Sequence, residues 1–145
     1  MPTLLALPAH VHAFLAAPGR FATLATLDPD GAPRQALVWY RLDPDGMLMI
    51  NSADGRRWPA NMRRDARVAL AIAAAGDGYR WLGLEAKVAE IVDDQGVAQA
   101  DIADLARRYH ADDPAEVEAS LARFQAQRRV TFRLRITSFH DHLAG

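Results

Sequence analysis

Apolar residues recur along this chain at two spacings, and the places where one gives way to the other mark out its elements. Val11, Phe14 and Leu15 stand at helical spacing within residues 9 to 17, and Pro18-Gly19 stops that helix. Residues 21 to 27, Phe-Ala-Thr-Leu-Ala-Thr-Leu, predict a mostly buried strand, after which Asp28-Pro29-Asp30-Gly31 reverses the chain. A second strand is expected over 33 to 42. The Asp-Pro-Asp-Gly turn then recurs at 43 to 46 and leads into a third strand from Met47 to Asn51. Gly55 to Arg64 predicts a helix with Pro59 in its first turn, where a missing N–H costs nothing.

The second half continues with a strand from Ala66 to Ile72. Another follows in which Leu82, Leu84, Ala86 and Val88 alternate with Gly83, Glu85 and Lys87. Ile102, Leu105, Ala106 and Tyr109 mark one face of a helix over 97 to 110. A further helix opens at Asp113 as cap with Pro114 in first position, its expected buried stripe being Val117, Leu121 and Phe124. In the last strand Val130, Phe132, Leu134 and Ile136 alternate with Arg129, Thr131, Arg133 and Arg135, giving one apolar and one basic face.

Helices fall too rarely between strands for a parallel βαβ array. The order predicts a mainly β (α+β) chain: six antiparallel strands in a barrel with peripheral helices. At 145 residues, one domain over 1–145 is expected.

Composition narrows the chemistry. With no cysteine, disulfides, thiol nucleophiles and thiolate-held metals are excluded. A net charge of -1 argues against nucleic acid as a partner, since phosphate affinity needs an excess of cations. No signal-like start or membrane-length apolar run is present, so the default expectation is a cytoplasmic protein without a membrane partner. Gly-x-Gly-x-x-Gly, the Walker loop, the nucleophile elbow and His-Glu-x-x-His are all missing. His10 and His12, like His140 and His142, stand two apart without an evident third ligand, and no metal site is expected.

The turn Asn51-Ser52-Ala53-Asp54-Gly55-Arg56-Arg57 joins a strand to a helix N-terminus, whose free N–H groups and partial positive charge favour an anion. Two arginines at a helix start are mildly unfavourable unless an anion is bound there, which makes Arg56 and Arg57 candidate ligands; the plain alternative is a pair of solvated charges.

Phe21 to Leu27 before Asp30-Gly31, then Pro33-Arg34-Gln35, then Asn61-Met62-Arg63-Arg64-Asp65-Ala66-Arg67-Val68 together resemble the pyridoxamine 5'-phosphate oxidase-like class of split β-barrel, FMN-binding-like proteins. The likeness is strongest to its branch using the deazaflavin coenzyme F420. Tyr79 to Ala86 and Arg128 to Phe132 resemble later strands of the class, so the resemblance spans nearly the whole chain. It implies a homodimer with the cofactor in a groove between subunits, its phosphate at the strand-to-helix turn, and a hydride exchanged with a small-molecule substrate. Many members carry a phosphate-binding lysine after the second arginine. Here the residue is Trp58, which tilts the implied cofactor from FMN toward F420.

Carried over residue by residue, the implied cofactor contacts are Gln35, Val38 and Trp39 on the second strand, Asn51, Ser52, Gly55, Arg56, Arg57 and Trp58 at the turn, and Asn61 on the helix. Gln35, Val38 and Trp39 have a plain reading as an ordinary buried strand of any barrel, and Asn61 one as a brace for its own helix. The row Arg129, Arg133 and Arg135 suits the acidic tail of F420, against the simpler reading of a solvated face paired with local acids. No catalytic side chain is implied, Tyr109 being the one proton donor in view beside solvent. The alternatives are an FMN-dependent oxidase or reductase, and a non-catalytic binder of flavin, deazaflavin or haem.

Overall fold

The computed structural model describes residues 4–144. Four helices and seven strands are formed among them: α1 (Ala9–Ala16), β1 (Ala22–Leu27), β2 (Pro33–Val38), β3 (Arg41–Leu42), β4 (Leu48–Ala53), α2 (Arg57–Arg64), β5 (Arg67–Ala74), β6 (Asp77–Val92), α3 (Gln95–Tyr109), α4 (Pro114–Gln125) and β7 (Arg129–His142). All strands pair antiparallel in one sheet of order β2-β1-β5-β6-β7-β4-β3. The two edge strands, β2 and β3, are separated in the chain only by Trp39 and Tyr40, so the sheet must curl until its edges nearly meet. This is the expected split barrel, mainly β with peripheral helices.

The single strand expected over 33 to 42 is therefore two, which raises the count from six to seven. The phenol of Tyr109 explains the break. It accepts a hydrogen bond from the Tyr40 N–H at 3.1 Å and lies 3.3 Å from the Tyr40 carbonyl, taking the place of a strand partner. The two Asp-Pro-Asp-Gly turns fold alike: in each the glycine N–H bonds the first aspartate's carbonyl at 2.9 Å, with Gly31 at φ 85° and Gly46 at φ 87°. Left-handed glycine after such a turn is the geometry of a bulged hairpin.

Leu24, Leu48, Ile50, Ile72, Leu82, Phe132 and Leu134 fill the barrel, with Val11 and Leu15 of α1 and Met62 of α2 closing it. On the other side of β4 a smaller cluster of Met49, Ile102 and Leu105 seats α3. Strand β4 is thus covered on both faces, which is how its polar residues Asn51 and Ser52 come to be buried. Asp113 caps α4 through the Glu116 N–H at 3.1 Å, as expected. The stripe expected on α4 is only half-covered: Ser120 is its buried residue, while Val117, Leu121 and Phe124 lie partly open because α4 packs on α3 rather than on the barrel.

Candidate functional site

The turn between β4 and α2 is held open by its backbone. Gly55 sits at φ 98°, where a side chain would be strained, and Asp54 is tied down through its N–H to the Arg128 carbonyl at 2.8 Å. Helix α2 starts with no acidic residue in its first turn and no side-chain cap, so its N–H groups stay available. Arg56 precedes the helix and Arg57 opens it, both exposed, and neither joins an ion pair among the described residues. The neighbouring acid Asp54 faces Arg63 at 3.5 Å and Arg128 at 3.9 Å instead. The local field at the helix start is positive.

Behind this turn lies a cavity of about 170 Å³. Five residues expected to contact cofactor, Val38, Trp39, Asn51, Arg56 and Trp58, meet in its wall. Trp58 lies half-buried at the barrel's mouth, its ring 6.2 Å from that of Phe132. Trp39 stacks on Tyr109 at 5.0 Å and 12°, and meets Phe124 edge-on at 6.3 Å. Helices α3 and α4 add Ile102, Leu105 and Phe124, and β7 adds Arg129. None of the residues in the wall is acidic.

The other expected contacts are placed differently. Ser52 is buried beside the turn and donates to the Ala53 carbonyl at 2.8 Å. Asn61 is buried on the far side of α2, where its amide donates to Thr26 at 3.1 Å and Asp28 at 3.0 Å while its carbonyl accepts from Arg64 at 2.9 Å. With donors and acceptor all engaged, it braces α2 against β1. Gln35 is exposed on the same face of β2 as Leu37, which lines the cavity, but does not itself reach the wall.

The basic row of β7 divides. Arg133 is enclosed by Asp43 at 3.4 Å, Glu90 at 3.3 Å and Asp45. Arg129 is buried at 4% exposure, against the reading of a solvated face. Burial first, and the charge of Arg56 second, pull its guanidinium down to about 10. Nothing in the alternation of β7 separated Arg129 from Arg133 and Arg135, because all three share one face and only α3 and α4 decide which is covered. Phe124, Ile102 and Leu105 were legible as apolar helix positions but not as a cavity wall.

Tyr109 is not poised as a proton donor. Its hydroxyl is bound to the backbone of Tyr40 and donates to the Arg20 carbonyl, and burial raises its pKa. His110 meets Trp39 edge-on at 5.3 Å. His10 pairs with Asp141 at 2.5 Å and His142 stacks on Trp81 at 4.2 Å; among the described residues no three metal-ligating side chains converge. A larger groove of about 400 Å³ opens beside β1, β5 and β6; its charges are mixed, with Arg67 held by Asp65 at 2.8 Å and Glu85 beside Lys87, and none of the residues expected to contact cofactor lines it.

The model of the family described as pyridoxamine 5'-phosphate oxidase matches residues 7–142. The chain belongs to this family. Among solved structures, an F420 reductase is 27% identical with a TM-score of 0.75, the match covering 92% of this chain and 98% of that one. A conserved hypothetical protein from Mycobacterium tuberculosis is 24% identical with a TM-score of 0.71, over 96% of this chain and 87% of its own. The heme storage protein HutZ from Vibrio cholerae shares the fold at 16% identity and a TM-score of 0.66, covering 94% and 95%. No curated protein matches the chain. Among the described residues of this pyridoxamine 5'-phosphate oxidase family member, no helix is long and apolar enough to cross a membrane.

Proposed function

We propose that this family member binds the deazaflavin coenzyme F420 and transfers a hydride between it and a small organic acceptor. The observation that carries the reading is the cavity at the β4–α2 turn, where unpaired arginines and two tryptophans surround a helix N-terminus free of acids. The likeness to an F420 reductase over nearly the full length of both chains supports it. The donor set fits the group: Arg56, Arg57 and the first N–H groups of α2 would hold its phosphate, and Trp39 and Trp58 offer flat apolar surface to its ring. When bound, the coenzyme supplies the hydride chemistry. The residues of the chain need only hold donor and acceptor about 3 to 3.5 Å apart and exclude water.

The reading includes a homodimer. The cavity is smaller than the ~300–1,000 Å³ of a complete small-molecule site, and a groove shared with a second copy would enlarge it. Gln35, outside the cavity wall, would come within reach of the cofactor in such an enlarged groove.

FMN is the second occupant, favoured by the family to which the chain belongs. Haem would need an axial ligand, and among the described residues the cavity wall holds no histidine, methionine or tyrosine. Titration of the purified protein with F420, FMN, FAD and haem, followed by absorbance, tests the reading. F420 is expected to bind tightest and to be turned over with an electron-poor acceptor. Affinity weaker than about 1 mM for every flavin and deazaflavin, roughly 4 kcal/mol, overturns it. Tight binding without turnover over an acceptor panel leaves a carrier. Replacing Arg56 or Arg57 by Ala is expected to weaken cofactor binding by about 1.5 to 3 kcal/mol, the size of a lost charge-assisted hydrogen bond.

A further inference from the structure

Arginines covered by protein normally meet carboxylates, because an unpaired guanidinium loses its hydration without return. Two partly covered arginines of this chain obey that rule. Arg41 is surrounded by Asp43 at 2.6 Å, Asp104 at 3.0 Å and Asp101 at 3.2 Å, and Arg133 by Asp43, Asp45 and Glu90. Arg129 is more deeply buried than either, at 4% exposure, and makes no ion pair among the described residues.

Its partners are all neutral. Nε donates to the Asn51 side-chain carbonyl at 3.0 Å, Nη1 donates to the Gln127 side-chain carbonyl at 2.6 Å, and one face of the guanidinium lies 4.8 Å from the Phe124 ring centroid. Asn51 is itself fixed, its amide donating to the Ala98 carbonyl and the Thr131 hydroxyl at 2.9 Å each. Asp101 is turned away, accepting from Thr131 at 2.8 Å and from Arg41. The guanidinium is thus held through Nε and Nη1, and Nη2 has no hydrogen-bond partner among the described residues. The other charge in the cavity wall is Arg56, of the same sign.

We propose that this cavity is an oxyanion site in which Arg129, from the inner end, and Arg56, from the turn, together clamp one phosphate monoester or carboxylate group. The flat apolar body attached to that group lies along Trp39 and Phe124. The arrangement concerns the same cavity as the proposed cofactor site but does not need F420 as its occupant: a cofactor phosphate and an acidic substrate present the same chemistry. Arg129 is a ligand prepared before binding, since the hydrogen bonds it donates to Asn51 and Gln127 orient it in advance. Anion binding supplies the missing counter-charge. It follows that Arg129 contributes more than the solvent-exposed Arg57, whose charge water already screens.

The test uses the full chain as wild type, Arg129→Gln, Arg129→Lys and Arg57→Gln, titrated with inorganic phosphate, benzoate, FMN, riboflavin and F420 by calorimetry. Near-UV circular dichroism checks the fold of each variant. Wild type is expected to bind phosphate or benzoate at least tenfold more tightly than Arg129→Gln, with Arg129→Lys and Arg57→Gln falling between the two. If the anion is the cofactor phosphate, the preference for FMN over riboflavin falls at least tenfold in Arg129→Gln; if it is a substrate carboxylate, that preference holds and benzoate binding is lost. Should Arg129→Gln fail to fold, the same comparison is read from Arg129→Lys and Arg56→Gln. Arg129-dependent binding of phosphate or benzoate without any flavin or deazaflavin binding keeps this inference and ends the cofactor reading. Cofactor and anion affinities that do not change in folded Arg129 variants overturn it and leave the cofactor reading intact, and a wild type that binds neither anion nor cofactor overturns both.

Discussion

Side chains of one residue type take opposite roles in this protein, and hydrogen-bond accounting separates them. Tyr40 and Tyr109 are both covered, and burial raises the pKa of each above the ordinary tyrosine value. The Tyr40 hydroxyl has no partner among the described residues, while that of Tyr109 ties Tyr40 and Arg20 to α3. Removing an unsatisfied buried hydroxyl is cheap, whereas stranding a buried N–H is not. Tyr40→Phe is therefore expected to leave stability unchanged or raise it by up to about 1 kcal/mol, and Tyr109→Phe to cost about 1 to 3 kcal/mol. Urea midpoints of the two variants check this, and equal losses would contradict the assignment. Asn61 and Arg129 show how far such roles were legible: the sequence placed both residue types correctly on α2 and β7, but which hydrogen bonds they make depends on β1, α3 and α4, which are distant in the chain.

Elements were more legible than contacts, because periodicity is local and packing is not. Both hairpin turns, the Asp113 cap and the alternation of β5 through β7 follow from nearest-neighbour chemistry. The break at Trp39-Tyr40 does not, since Val38-Trp39-Tyr40-Arg41 alternates like any strand and only Tyr109, far along the chain, ends it. The clamp joining the first hairpin to α2 carries a pH dependence. Arg34 first, and Asn61 second, hold the Asp28 carboxyl below its ordinary value of 3.8. A carboxylate depressed in the folded state contributes stability that is present above the unfolded pKa and lost as pH falls through the folded one. Stability is thus expected to drop on acidification below about pH 4, and Asp28→Asn to remove part of that drop. Urea unfolding of wild type and variant at pH 6 and pH 3 measures it; an unchanged pH slope in Asp28→Asn would place the titrating group elsewhere.

At the scale of the molecule, the outer face of the sheet is the surface still unaccounted for. Across β2, β1, β5 and β6 the register aligns Leu37, Thr23, Ala71 and Gly83 in one row and Gln35, Ala25, Ala69 and Glu85 in the next. Ala69, Ala71 and Ala73 are exposed, Leu37 is 73% exposed, and Phe21 at the sheet's end is 57% exposed. A face of small residues, grooved beside β1, β5 and β6 and flanked by bare apolar side chains, is costly in water and suits close approach of another sheet. Its two-residue alternation was readable from the sequence, but small alanines outside look like weak core positions inside, and only the register tells which they are. A stable contact needs about 800 Å² from each partner, which a face of four strands can supply. The proposed homodimer makes a definite demand on it. Ala71→Arg inserts a long cation at the centre of this face without touching the barrel interior or the cavity. Sedimentation is expected to show wild type at twice the chain mass and Ala71→Arg at or near the chain mass, with the variant's melting otherwise cooperative. If the cofactor groove is shared, the same substitution lowers F420 or FMN affinity by tenfold or more although every cavity residue is intact. A monomeric wild type would remove the dimer from the reading, and a monomeric variant with undiminished affinity would confine the cofactor to one subunit.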